Sequence, residues 1–183
     1  MDFAFTDEQR EIRESARAFL ADHSASAQVR AAMEGEAGFD AEVWKRIGSE
    51  LGWPAIPVPE DCGGLGLGDV ELAALLEVTG EWLLCAPLFA TAALAVPVVL
   101  EVGGPEDHAR LLPALAEGRC TATLLHPGPS GRWGGAGVQT VAEPRADGGA
   151  RLTGRAPWVV DGHTADLLLV PARAPGSGRG EGV

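Results

Sequence analysis

Positive charge is scarce in this sequence. Lys and Arg number 14 against 26 Asp and Glu, a net charge of −12. Nucleic acid and anionic membrane are thereby excluded as default partners, because both need a basic surface. Cysteine is scarcer still. Cys62, Cys85 and Cys120 are odd in number and too widely spaced for metal-ligand pairs, so they read as ordinary buried thiols of a reducing compartment, and no metal site is expected. The acidic stretch Met1 to Glu8 has no apolar core behind it, so no secretory address is expected. A membrane-length hydrophobic run is missing too. Leu83 to Leu100 comes nearest, but Pro87 and Pro97 interrupt it, Glu81 and Glu101 flank it, and no Lys or Arg lies near either end. It reads as a helix buried on all sides.

What is present divides in two. Residues 1–118 hold 7 Lys and Arg against 21 Asp and Glu, or −14, while residues 119–183 hold 7 against 5, or +2. The pattern of elements changes at the same place, which puts a domain boundary there and a flexible Gly-rich tail at 174–183. In the first part, Thr6 and Gln9 form a capping box, and Ile12, Ala16, Phe19 and Leu20 make one apolar stripe. Asp40 opens a second helix through Val43, Trp44, Ile47 and Leu51 to Gly52. Asp69 caps a third, with Leu72, Leu75, Leu76 and Thr79 on one side and Pro87 at its end. Pro105 opens the last, in front of Glu106 and Asp107, and it ends near Gly118. In the second part, short runs at 120–125, 137–142, 150–153, 158–160 and 165–170 are separated by Gly- and Asp-rich turns. Asp147-Gly148-Gly149 reads as a hairpin turn. Five strands are too few to close a barrel. The expected fold class is α+β: an N-terminal all-α helical domain, then an incomplete antiparallel β-barrel or meander over 119–173.

No self-contained active site is legible. Gly64, Gly66 and Gly68 lack the G-x-G-x-x-G spacing, with Asp69 where the last glycine belongs, so they read as a structural turn. Ser130 has no G-x-S-x-G frame. His126 and His163 stand isolated in turns. Glu77 and Glu81, one helical turn apart, read as mild repulsion on a solvated face.

The most informative stretch is Trp53-Pro-Ala-Ile-Pro-Val-Pro-Glu-Asp-Cys-Gly-Gly-Leu-Gly-Leu-Gly68. Prolines and glycines this dense forbid a continuing helix or a regular strand, so a stiff, ordered crossover between helices is expected. This run resembles a segment of the acyl-CoA dehydrogenase family. The preceding block from Trp44 to Trp53 and the later Gly104 to Gly118 are similar to family segments in the same order. The resemblance implies a helical domain, most of a middle β-domain and no C-terminal four-helix bundle. It further implies FAD as cofactor and an acyl-CoA substrate dehydrogenated at its Cα–Cβ bond. An electron-transfer flavoprotein as acceptor and a homo- or hetero-oligomer are implied as well.

In the family the glutamate base comes from the absent bundle, so no catalytic residue is assigned and the lone chain is expected to be inactive. The family's flavin-lining T-E-P-x-x-G-S-D segment corresponds to Leu125 to Arg132, where Leu125, His126, Gly131 and Arg132 depart from it. By resemblance the flavin-facing residues are Leu125 and Gly131, through their N–H groups, Trp158, packed on the ring, and Val160, through its main chain. Val160 stands where a hydroxyl is frequent. These departures keep open an alternative: a non-catalytic partner subunit, or a module that binds acyl-CoA or protein.

Overall fold

The computed structural model describes residues 4–126, 132 and 134–176. The chain forms two compact units, Met1–Thr121 and Ala122–Val183. In the first, α1 (Asp7–His23) opens with the expected box: Thr6 Oγ1 accepts from the Gln9 N–H, and the Gln9 side chain accepts from the Thr6 N–H. Its stripe is buried at Ala16 and Leu20. Next comes a short helix that the sequence pattern did not reveal, α2 (Ser26–Glu34). Nothing in it is buried and no side chain caps its start, so neither periodicity nor a cap announces it. α3 (Ala41–Ser49) begins under Asp40, whose carboxylate accepts from the N–H groups of Glu42 and Val43. It ends at Ser49, short of Gly52.

The Pro/Gly crossover is ordered by bonding to itself. Single 3₁₀ turns at Trp53–Ala55 and Glu60–Cys62 frame it. Main-chain bonds then fold it back: Leu65 to Ala55 (2.9 Å), Gly66 to Val58 (2.8 Å) and Leu67 to Ile56 (3.0 Å). Gly64 permits the closest approach, since a Cβ there would stand 2.0 Å from the Val58 carbonyl oxygen. Trp53, Ile56 and Val58 are pressed into the core by this fold.

α4 (Asp69–Glu81) packs along α1. Its cap differs from expectation. Gly68 occupies the cap position and donates to the Glu71 carboxylate at 2.9 Å, while Asp69 is the first helical residue. The helix also stops before Pro87. The Leu84 N–H reaches the Thr79 carbonyl and the Leu83 N–H reaches that of Gly80, a Schellman closure with Leu83 in the left-handed position (φ 52°) where glycine is usual. The apolar stretch then forms a wide π-helical segment, Phe89–Ala95, that runs into α5 (Val96–Val102). Pro97 explains the widening: it has no N–H to give, and its ring would clash with the carbonyl four residues back in a tight helix. No helix among the described residues is long and apolar enough to cross a membrane.

α6 (Pro105–Ala116) starts with Pro105 in its first turn, and Asp107 accepts from the Gly104 N–H. Trp44 ties α3 to its far end: the indole N–H donates to the Gly118 carbonyl at 3.0 Å. Gly48 lets α3 approach there, since a Cβ would meet the Glu117 carbonyl oxygen at 2.5 Å. One core joins α1, α3, the crossover, α4 and the π-helical segment around Leu20, Ile47, Trp53, Leu75 and Leu88.

The second unit holds β1 (Ala122–Leu124), β2 (Val141–Pro144), β3 (Ala150–Thr153) and β4 (Leu167–Leu169). β2 and β3 form the expected hairpin, turned at Gly148 (φ 83°) with Arg145 and Gly149 bonded across it. β1 and β4, by contrast, pair in parallel. The antiparallel expectation therefore holds only for the hairpin, because β1 and β4 are far apart in sequence and meet by a long connection rather than a turn. The two two-stranded sheets do not close. The run at 158–160 is no strand but part of a turn. The expected tail lies outside the described residues from 177 onward.

Candidate functional site

The turn that replaces the expected strand at 158–160 is the most unusual backbone in the second unit. Trp158 (φ 61°) and Asp161 (φ 52°) both adopt the left-handed conformation, which side-chain-bearing residues avoid. Such strain persists only where the surroundings impose it. Behind Val160 the imposition is local: the Asp161 carbonyl accepts from the N–H groups of Thr164 (3.1 Å) and Ala165 (3.0 Å), and Gly162 N–H donates to Val159. Ahead of it one bond comes from β1, where the buried Thr123 hydroxyl donates to the Val160 carbonyl at 2.7 Å.

The turn presents an indole that is 88% exposed. Beside it, the Val160 N–H has no hydrogen-bond partner among the described residues. An open π-face next to an unpaired donor suits a flat heterocycle with acceptors along its edge, so these residues fit a flavin. Leu125 fits less well. Its N–H donates to the Leu169 carbonyl at 2.9 Å, continuing the β1–β4 ladder, which leaves its half-buried side chain for contact. Gly131 lies outside the described residues, as do Pro127, Gly128 and Ser130. Burial pushes the Asp161 carboxyl above the usual range, with His163 opposing. His126 and Arg132 stand at the edges of the undescribed segment.

The helical unit carries no comparable site. Glu77 and Glu81 lie on an exposed face, as expected, but each is also paired with an arginine of α1, Glu77 with Arg13 and Glu81 with Arg17. Gln9 extends the row to Glu71 at 2.8 Å. The hydrogen bond from Arg13 holds the Glu77 carboxyl below its ordinary value, and that from Gln9 does the same for Glu71. Gly64 and Gly66 sit in the self-bonded crossover, a structural turn. No group of His, Cys, Asp or Glu among the described residues could hold a metal ion. A groove of about 680 Å³ lies between α2 and the end of α4, with Met33 and Leu83 on its rim. Sequence reasoning missed both that groove and Thr123. No periodicity points to the groove, and a lone threonine in a short strand carries no local signal.

Comparison with known proteins places the fold. The family described as acyl-CoA dehydrogenase, N-terminal domain, matches residues 6–119. Acyl-CoA dehydrogenase IpdE2 of Mycolicibacterium smegmatis is 35% identical over 120 residues, covering 66% of this chain and 37% of that protein. The solved ChsE4-ChsE5 complex from Mycobacterium tuberculosis superposes with a TM-score of 0.83 at 26% identity, over 96% of this chain and 46% of that one. A variant of the Tcur3481-Tcur3483 steroid ACAD gives a TM-score of 0.80 at 30% identity, over 92% of this chain and 45% of that one. The chain thus spans less than half the length of each of these relatives.

Proposed function

This chain belongs to the acyl-CoA dehydrogenase family, and from that premise we propose that it forms the helical and flavin-facing portion of an enzyme that uses FAD to dehydrogenate an acyl-CoA thioester. The observation that carries the reading is the exposed Trp158 indole on its strained turn, next to a Val160 N–H that has no partner among the described residues. Bound FAD would supply the hydride acceptor. Trp158 would cover one face of the ring, and the Val160 N–H would donate to an edge acceptor. Lacking a hydroxyl, Val160 has only that one donor to give.

The base that takes the α-proton is assigned to no residue of this chain. In this reading it comes from a C-terminal bundle or a partner subunit within a homo- or hetero-oligomer, and electrons leave to an electron-transfer flavoprotein. A cytoplasmic setting is part of the same reading. The test is optical. The chain, joined to a C-terminal bundle or a partner subunit, should purify yellow and bleach on addition of acyl-CoA, and a colourless complex would refute it. A second reading is favoured by one observation, the Leu125 N–H committed to β4. It makes the chain a non-catalytic partner subunit, or an acyl-CoA- or protein-binding module. A complex that assembles but holds no flavin in this chain would support that second reading.

A further inference from the structure

Thr123 sits in the middle of β1, opposite Leu168 of β4, and is fully buried. A buried hydroxyl needs a partner, and this one donates to the carbonyl of Val160, 37 residues away in sequence, at 2.7 Å. The bond therefore ties a strand to a loop. It enters the loop between its two left-handed residues, Trp158 and Asp161. The main-chain bonds from Gly162, Thr164 and Ala165 go to Val159 and Asp161, and among the described residues none reaches Trp158. Its ring is 88% exposed, so packing does not hold it either. The bond from Thr123 thus anchors to a strand a backbone that stays, at Trp158, outside the more comfortable regions that any L-residue prefers.

We propose that Thr123 is a positioning residue: its hydroxyl, by clamping the Val160 carbonyl, sets the orientation of the Trp158 indole and points the Val160 N–H outward. The clamp rests on the flavin reading only for its purpose; its geometry stands apart from it. Thr123 touches no ligand and acts through Trp158 and Val160.

The test uses the 183-residue chain with fluorotryptophan in place of tryptophan. The Trp158 fluorine resonance is assigned by its loss in Trp158→Phe. In Thr123→Val, which keeps the shape and removes the donor, that resonance should move toward its position in the denatured chain. Those of Trp44, Trp53 and Trp82 should stay in place, and Thr123→Ser should restore the native position. If Thr123→Val does not fold, Thr123→Ala makes the same test. FAD affinity is measured in parallel on the completed protein. Losing the bond should weaken it about tenfold, with recovery in Thr123→Ser, and adding Thr123→Val to Trp158→Phe should cost less than Thr123→Val does alone.

An unmoved Trp158 resonance in the donor-less variant overturns the clamp. So does unchanged FAD affinity in Thr123→Val alongside a loss in Trp158→Phe, and that result leaves the flavin reading standing. If the resonance moves as expected while Trp158→Phe binds FAD as well as the native chain, the clamp survives and the flavin reading falls.

Discussion

The helical unit closes a continuous apolar core, whereas the described part of the β unit buries few residues and opens several large apolar side chains to solvent. Around Leu20, Ile47, Leu75 and Leu88 the first unit closes a continuous core, and three polar rungs fasten α1 to α4. In the second unit every residue of β3 is exposed, and Leu152, Trp158, Val160 and Leu168 are all open to solvent. Among its described residues only a few, such as Thr123 and Val138, are buried. Backbone strain follows the same division in a telling way. The helical unit places its positive φ values mostly on glycine, with Leu83 the exception, while the β unit carries two on Trp158 and Asp161.

Four substitutions or conditions test that contrast. The largest effect should come from Leu75→Ala, which empties a fully buried site and should cost about 3–4 kcal/mol in a denaturant titration. A loss under about 1 kcal/mol would mean that the helical unit is no better packed than its neighbour. Gly64→Ala should follow, at about 2–3 kcal/mol, because its methyl would collide with the Val58 carbonyl inside the crossover. Thermal melting that matches the native chain would show the crossover to be looser than its hydrogen bonds describe.

Trp158→Ala belongs to the other side of the comparison. Its stability cost should stay within about 0.5 kcal/mol, since the ring is exposed, while FAD retention by the completed protein should collapse. A large melting shift would make Trp158 a core residue instead.

The smallest signal is the response to acid, and the two units should differ in sign. Glu71 and Glu77 have depressed carboxyls, from the bonds to Gln9 and Arg13 respectively. Their contribution is present above the ordinary glutamate range and is lost as pH falls through the lowered values. Asp161 is raised by burial, so its turn is favoured while protonated and loses stability as pH rises through the raised value. Hydrogen exchange read separately in α4 and around Asp161 should therefore change in opposite directions on acidification. A common direction would contradict the assignment of causes.

Legibility followed the range of the interaction. The Thr6–Gln9 box, the Asp40 cap and the 147–149 turn are local, formed by groups within a few residues, and all three stand where the pattern put them. The ordered crossover was legible because proline and glycine restrict the backbone directly. α2 escaped because it buries nothing, and the end of α4 was misplaced because a Leu83 in left-handed conformation gives no residue-type signal. Of the candidate site, Trp158 and Val160 are described and adjacent on one turn; Leu125 is bonded elsewhere, and Gly131 lies outside the described residues.

The amino-acid sequence alone determined which segments coil, where most helices begin, and that two regions of opposite charge balance follow each other. Those outcomes depend on residues near one another in the chain and on backbone restrictions each residue carries. Only the tertiary structure decided that β1 and β4 run parallel, that Glu77 and Glu81 each face an arginine, and that a threonine in β1 holds the turn that carries Trp158. Each of these joins groups more than 35 residues apart, and no local preference can choose between the many partners available at such separations.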